Sequence, residues 1–339
     1  MTRAKLALPW LGLLLSVAFS YLAIRNVDPT EAWDALRSSN LWWLVPAFLA
    51  WAVAVSMRAV RWRFLFRPEN RPPLSSITSA LFVGYFFNSV LPARSGEAAR
   101  VLALHRSSGN SRAETAATVV VERVFDVVSL VVILFAASPW LPDVSWAGSA
   151  AILAAGLGAA CVLLLVAVTL WGEQPFRLLL RPLALLPFFA EERLAGAAFS
   201  LVHGLAAIRR PRLTVIAFFW TTLSWLGLAL STWFVLQAFH LDLPFLAGLL
   251  VVIAINLAMV LPSGPSAVGV WEAATLVALS AYGVPQSQAL PAALVLHLLN
   301  LVPCLVAGAF VVHAVSRRSP QPELTTAQAG PGAGGRAGR

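Results

Sequence analysis

Apolar runs of bilayer length recur along this chain, and together they carry more hydrocarbon side chain than a water-soluble core could bury. A hydrocarbon layer about 30 Å thick needs roughly 20 apolar residues in helical form. Six segments meet that length: 6–24, 41–62, 113–136, 148–171, 213–239 and 287–313. Three more, 74–91, 244–261 and 265–282, are interrupted or bounded by Gly, Asn and Pro. Of the 339 residues only 12% are charged and 59% are hydrophobic, about half the charge of an average soluble domain, which argues against a soluble enzyme. The expected fold class is all-α, a polytopic integral membrane helical bundle. The first segment follows Arg3 and Lys5 as a signal peptide would, but its apolar run is too long and no small-residue cleavage site follows, so it reads as a retained span. Cys161 and Cys304 both lie inside apolar runs, which leaves neither a disulfide framework nor a thiolate metal site.

The net charge of +9 would suggest nucleic acid in a soluble chain. Here the bases fall in the gaps between apolar segments, the pattern of cytoplasmic loops in an inner-membrane protein, so no nucleic-acid partner is expected. Arg58, Arg61, Arg63, Arg67 and Arg71 follow the second span, 94–112 is basic again, and 172–212 carries six arginines. The tail opens with Arg317 and Arg318, whereas 137–147 and 240–244 hold Asp143 and Asp242 and no Lys or Arg. These placements give one topology, with both termini on the cytoplasmic side. They also forbid 74–91 from crossing, since the loops on both its sides are basic; it must turn back or pair with 95–108 as a hairpin. The domain expected is 1–315, followed by a disordered cytoplasmic tail, 316–339, rich in Pro, Gly, Ala and Thr.

The chain also repeats the order of its parts. Asn88, Leu91, Pro92, Gly96 and Glu97 recur in sequence as Asn256, Leu261, Pro262, Gly269 and Glu272. On the charge reading the first broken stretch enters from the cytoplasm and the second from outside. The halves 6–136 and 148–313 are then inverted repeats with broken or re-entrant helices, an architecture of transporters whose substrate site lies where the halves meet.

Three polar features stand where polarity is expensive. Glu122, Arg123 and Asp126 fall near the middle of 113–136, and each costs roughly 2.5–3.5 kcal/mol at a lipid-facing mid-helix position, so they should face protein or water. Their i,i+3 and i,i+4 spacings put them on one side of the helix, either as a register-fixing ion network or as the lining of a polar cavity. Asn88 to Glu97 reads NSVLPARSGE, followed by Arg100. Pro92 ends the preceding helix, Gly96 allows close approach, and Arg94 and Arg100 offer bidentate donors suited to a phosphate, with Glu97 able to neutralise one of them or to contact a cationic group. Pro262 to Glu272 reads PSGPSAVGVWE, an irregular backbone in membrane-depth sequence with Glu272 just inside the next helix. There is no G-x-x-x-x-G-K-[ST], H-E-x-x-H, C-x-x-C or G-x-S-x-G, and the five histidines show no ligand spacing, so no cofactor, metal or catalytic nucleophile is expected.

The combination of NSVLPARSGEAAR (88–100), TVVVERVFD (118–126) and PSAVGVWEAA (265–274) resembles the flippase-like membrane region of lysylphosphatidylglycerol synthases, over roughly 6–313. The resemblance marks Pro92, Arg94, Gly96, Glu97 and Arg100, then Glu122, Arg123 and Asp126, then Pro265, Gly269 and Glu272; with Asn88 these are the candidate substrate-binding residues. Ser266 and Ala267 replace two glycines of the family's third element. In the full synthases a separate domain transfers an aminoacyl group from charged tRNA to phosphatidylglycerol, and the membrane region moves the product. The resemblance therefore implies a lipid mover without the aminoacyltransferase, in the inner (cytoplasmic) membrane, acting on an anionic or modified phospholipid or a lipid-linked intermediate. Stand-alone relatives are associated with polyprenyl-linked glycosylation, glycolipids or hopanoids. An integral-membrane transferase, or an accessory subunit beside a lipid-modifying enzyme, is the competing reading, and a second copy of the chain is a further candidate partner.

Overall fold

The computed structural model describes residues 3–91, 95–142, 211–260 and 263–318, with isolated helical residues between 152 and 174. In chain order the helices are α1 (Arg3–Ile24), α2 (Pro29–Ser38), α3 (Leu44–Phe64), α4 (Leu74–Val90), α5 (Gly96–Ser108), α6 (Arg112–Ala137), α7 (Pro211–Ala238), α8 (Phe245–Ala258), α9 (Val270–Ser280) and α10 (Gln286–Arg318). Among the described residues there is no strand, and the chain is an all-α membrane bundle. Most of the expected span 148–171, the basic stretch 175–210 and the tail beyond Arg318 lie outside the described residues.

Among the described residues, three helices are long and apolar enough to cross a membrane: Leu41–Phe64, Arg212–Ala238 and Gln286–Val315. The first and second pack antiparallel as the spine of the bundle. Gly227 of α7 meets Ala54 of α3, and the Ser231 hydroxyl donates to the Ala47 carbonyl at 2.8 Å. Small residues at such a seam let two backbones approach closely, which is how helices associate when lipid removes the usual hydrophobic drive. α6 has 26 residues and the same reach, but its middle is charged.

Between these long helices sit two short pairs. Asn110 Nδ2 donates to the Asn70 carbonyl at 2.7 Å and Asn70 Nδ2 to Glu114 at 3.5 Å, tying the loop before α4 to the loop after α5. The pair therefore leaves from and returns to one end of the bundle, as the basic loops on both sides require. With 17 and 13 residues, the two helices rise only about 26 and 20 Å. α8 and α9, with 14 and 11 residues, do the same from the other end. That end is marked by the Asn40 N–H on the Ala238 carbonyl at 2.8 Å, the Trp233 indole N–H on the Leu243 carbonyl at 2.9 Å, and the Asp28 N–H on the Ser287 hydroxyl at 3.1 Å. The tips of the two hairpins touch: Ser266 Oγ donates to the Ser89 carbonyl at 2.9 Å.

The end from which α8 enters also carries α2, a short amphipathic helix with no buried residue. Asp28 caps it, accepting the Thr30 N–H at 2.8 Å, the Thr30 hydroxyl and the Glu31 N–H; these bonds, the Thr30 hydroxyl first, hold its carboxyl below the usual range. Trp33, Trp42 and Trp140 are largely exposed around it, an aromatic belt of the kind that sits at head-group level.

Candidate functional site

α3 continues to Phe64, so Arg58 and Arg61, expected in a cytoplasmic loop, lie inside the helix. Arg61 is fully buried. Its partners explain how: Nη2 is 2.9 Å from Glu122 and Nη1 2.5 Å from Asp126, with Thr221 of α7 accepting at 3.4 Å. A count of loop charges cannot distinguish an arginine neutralised by carboxylates on a neighbouring helix from one bathed in cytoplasm. Arg61 is thus a member of the site that the sequence reading missed.

Glu122 is the hub. Arg100 forks onto it, with Nη2 at 2.8 Å and Nη1 at 3.2 Å from its two oxygens, and Arg123 reaches it at 2.7 Å. Arg123 also lies 3.4 Å from Asp126 and 3.7 Å from Glu97. Three arginines (61, 100, 123) face three carboxylates (97, 122, 126), so the cluster is neutral as a whole, which is what lets it sit at membrane depth. Burial is uneven: the Glu122 side chain is 2% exposed, whereas Arg123 and Glu97 are 43% and 36% exposed. The cluster has a closed interior and one accessible edge. The Arg100 guanidinium also lies 4.5 Å above the Trp62 ring, whose N–H donates to Thr118 at 2.9 Å. One turn before Arg61, Arg58 lies over Trp225 at 4.4 Å.

Asn88 and Gly96 build the tip of the first hairpin. The Asn88 Oδ1 accepts the Gly96 N–H at 2.9 Å and so satisfies an orphan donor at the start of α5. A Cβ on Gly96 would overlap the Gly84 carbonyl and the Asn88 amide, so the close crossing of α4 and α5 demands glycine there. This tip carries Glu97 to Arg123. Pro92 and Arg94 lie outside the described residues.

The third motif forms a separate polar site. Pro265 opens a single turn, Gly269 precedes α9 with φ +84°, and Glu272 reaches back to the Gly269 N–H at 2.7 Å. Ser266 and Ala267, which stand where the resembled family has glycines, adopt φ of 56° and 55°, the left-handed region that L side chains avoid. Glycine would adopt this conformation at no steric cost. Ala267→Gly should therefore raise stability by about 1 kcal/mol, read as an upward shift in thermal unfolding in detergent; a fall would show that the Ala267 methyl contributes more by packing than it costs in strain. Glu272 does not join the arginine cluster. Its partner is His297 of α10, with Nδ1 at 2.6 Å from the carboxylate, a second residue that sequence spacing did not reveal.

The two sites connect through the hairpin tips. Hydrogen bonds lead from His297 to the Ser266 carbonyl and from the Ser266 hydroxyl to the Ser89 carbonyl. Beside Ser89, Asn88 caps the helix that presents Glu97 to Arg123. A polar seam thus runs through the middle of an apolar bundle.

Comparison with known proteins gives these motifs a family. Residues 10–308 match the family described as the lysylphosphatidylglycerol synthase TM region. Glycosyltransferase AglD of Haloferax volcanii is 28% identical over 331 residues, 88% of this chain and 53% of that protein; the chain thus spans about half of its length. The UPF0104 membrane protein MJ1078 of Methanocaldococcus jannaschii is 26% identical over 235 residues, 68% of this chain and 95% of that protein. The UPF0104 membrane protein PH1989 of Pyrococcus horikoshii is 29% identical over 106 residues, 30% and 32% of the two chains. With residues 10–308 of its length matched, the chain belongs to the lysylphosphatidylglycerol synthase transmembrane-region family.

Proposed function

We propose that this membrane protein is a lipid translocase, moving an anionic or modified phospholipid, or a lipid-linked intermediate, across the cytoplasmic membrane between two inverted halves with both termini inside. The observation that carries the reading is the accessible edge of an otherwise sealed ion cluster. Arg123 is held firmly by Glu122 but loosely by Glu97, at 3.7 Å, so a phosphate can displace Glu97 without unbalancing the interior. Arg100 faces Glu122, and Glu122 and Asp126 are buried; these three act by fixing Arg123 rather than by touching the head group. The seam between oppositely entering hairpins supplies the polar path such a head group needs, and broken helices meeting at mid-membrane are the usual setting for a transporter site. Movement is downhill or driven by an ion gradient.

Purified protein in liposomes with head-group-varied fluorescent phospholipids, read by dithionite accessibility, tests this. Arg123→Ala and Glu97→Gln are expected to insert normally and to slow movement at least about tenfold, the effect of roughly 1.4 kcal/mol at the barrier. Unchanged movement in both variants sinks the assignment. The similarity to a protein named a glycosyltransferase favours a second reading, a membrane part of lipid-linked glycan synthesis. Conversion of a labelled lipid-linked sugar by the purified chain, with no lipid movement, would select it.

A further inference from the structure

Glu272 and His297 are a buried acid–base pair of a different kind from the arginine cluster. Both are about 95% buried, at 5% and 6% exposure. Glu272 meets no arginine; one oxygen accepts the Gly269 N–H at 2.7 Å and the other faces His297 Nδ1 at 2.6 Å. On the far side of the imidazole, Nε2 lies 3.0 Å from the Ser266 carbonyl, and the Trp271 ring stacks on its face at 4.9 Å.

A count of donors decides what this arrangement holds. A carbonyl oxygen only accepts, so the Ser266 contact requires N–H at Nε2. A neutral imidazole has one N–H, which would leave Nδ1 a lone pair facing a carboxylate lone pair at 2.6 Å, a repulsive contact. The Nδ1···Oε1 contact must therefore contain a proton as well, on the ring or on the acid. The pair holds one proton more than a neutral histidine beside an ionised glutamate. When that proton leaves, one N–H remains for two acceptors; the ionised Glu272 carboxylate is the stronger of them and keeps it at Nδ1, so the Ser266 contact opens.

Among the described residues, Glu272 and His297 form no ion pair except with each other. α4 and α8 contain no Asp, Glu, Lys, Arg or His, and α9 has only Glu272. From α1 the turn is met by Ser16, which accepts the Gly264 N–H at 2.8 Å, and by Ser20 against Gly269. The nearest other ionisable groups of α10 are Cys304 and His313, and the tyrosines of α1 and α4 are Tyr21 and Tyr85. Ser266 belongs to the left-handed turn, and its hydroxyl holds the tip of α4 through Ser89. The presence or absence of one proton is thereby felt where the two hairpins meet. Glu122 is no rival for this role, since three guanidiniums surround it.

We propose that Glu272 and His297 form a proton-binding site: one proton, taken from water and held between Nδ1 and Oε1, locks the Ser266–Ala267 turn onto α10, and its return to water frees the turn. Resting on the translocase reading above, this proton is the ion that couples lipid movement to a pH gradient. No other bond forms or breaks in the step.

Solid-state NMR of the liposome-embedded chain with isotope-labelled histidine and glutamate tests the site without reference to transport. The His297 signals are identified by their loss in His297→Asn. Nε2 and the shared position should both be protonated in spectra at the acidic end of the range and one proton gone at the alkaline end, and Glu272→Gln, which removes the carboxylate acceptor, should change that pattern. An Nε2 without a proton at the acidic end, or a spectrum unchanged over the whole range, overturns the proposal. In the transport arm, an imposed gradient should shift the leaflet distribution of labelled lipid by up to about tenfold per pH unit for one coupled proton. A wild-type distribution indifferent to the gradient removes the coupling role. Absence of any lipid movement in wild type retires the translocase reading instead, and the spectra still decide whether the pair binds a proton.

Discussion

Arg61→Ala is expected to destabilise the protein by about 3–5 kcal/mol, the usual consequence of removing one partner from a buried ion pair. Arg61 is fully buried and touches both Glu122 and Asp126. Without it the cluster carries an excess negative charge, and Asp126 is left with Arg123 at 3.4 Å as its ion-pair partner. Against a total stability of roughly 5–15 kcal/mol, that loss should appear as a large fall in thermal unfolding temperature and in folded yield from detergent. Arg63→Ala, two residues along the same helix but exposed, should change stability by less than about 0.5 kcal/mol. Pairing Arg61→Met with Asp126→Leu restores the charge balance and should recover most of the loss, because a buried ion pair replaced by apolar groups of similar volume is often neutral. Equal unfolding temperatures for wild type and Arg61→Ala would mean that the carboxylates are satisfied without it.

Charge parity made the first hairpin legible. Basic residues before 74–91 and after 95–108 left no way for that stretch to cross, and the Asn110 to Asn70 bond shows the two loops side by side. The spacing of Glu122, Arg123 and Asp126 likewise put them on one face. Arg61 was hidden by the same rule that revealed the topology, because five arginines after an apolar run look alike until α6 supplies carboxylates to one of them. His297 was hidden for another reason. It stands 25 residues from Glu272 on a different helix, and only the folding back of α9 on α10 joins them, so no local spacing could mark the pair. α2 was within reach, since Asp28-Pro29-Thr30-Glu31 combines a capping aspartate, a proline at the first helical position and a glutamate three residues on. Ser266 and Ala267 depart from the glycines of the resembled family's third element. In the structure both residues hold left-handed backbone, the conformation that glycine adopts most readily.

Glu122→Gln should cost a further-reaching 3–5 kcal/mol or about that, because Glu122 is met by three guanidiniums and is the ion-pair partner of Arg100. Arg100 is 4% exposed, and among the described residues the other group its guanidinium meets is the face of Trp62, too little to hold a desolvated cation. Adding Arg100→Met removes the stranded charge, leaving Arg61 and Arg123 opposite Asp126 and Glu97, again balanced. The double variant should therefore be more stable than Glu122→Gln alone, with a coupling energy of about 2–3 kcal/mol in a double-mutant cycle of thermal or denaturant unfolding. Additive losses would show that Arg100 is satisfied by other groups. The folded double variant then separates structure from transport: its accessible Arg123 and Glu97 are chemically intact, but Arg123 has exchanged a carboxylate for an amide and is held less firmly. If a fixed Arg123 is what receives the head group, this variant moves labelled lipid more slowly than wild type while unfolding at a similar temperature. Wild-type rates in it would assign Glu122 and Arg100 to the fold alone.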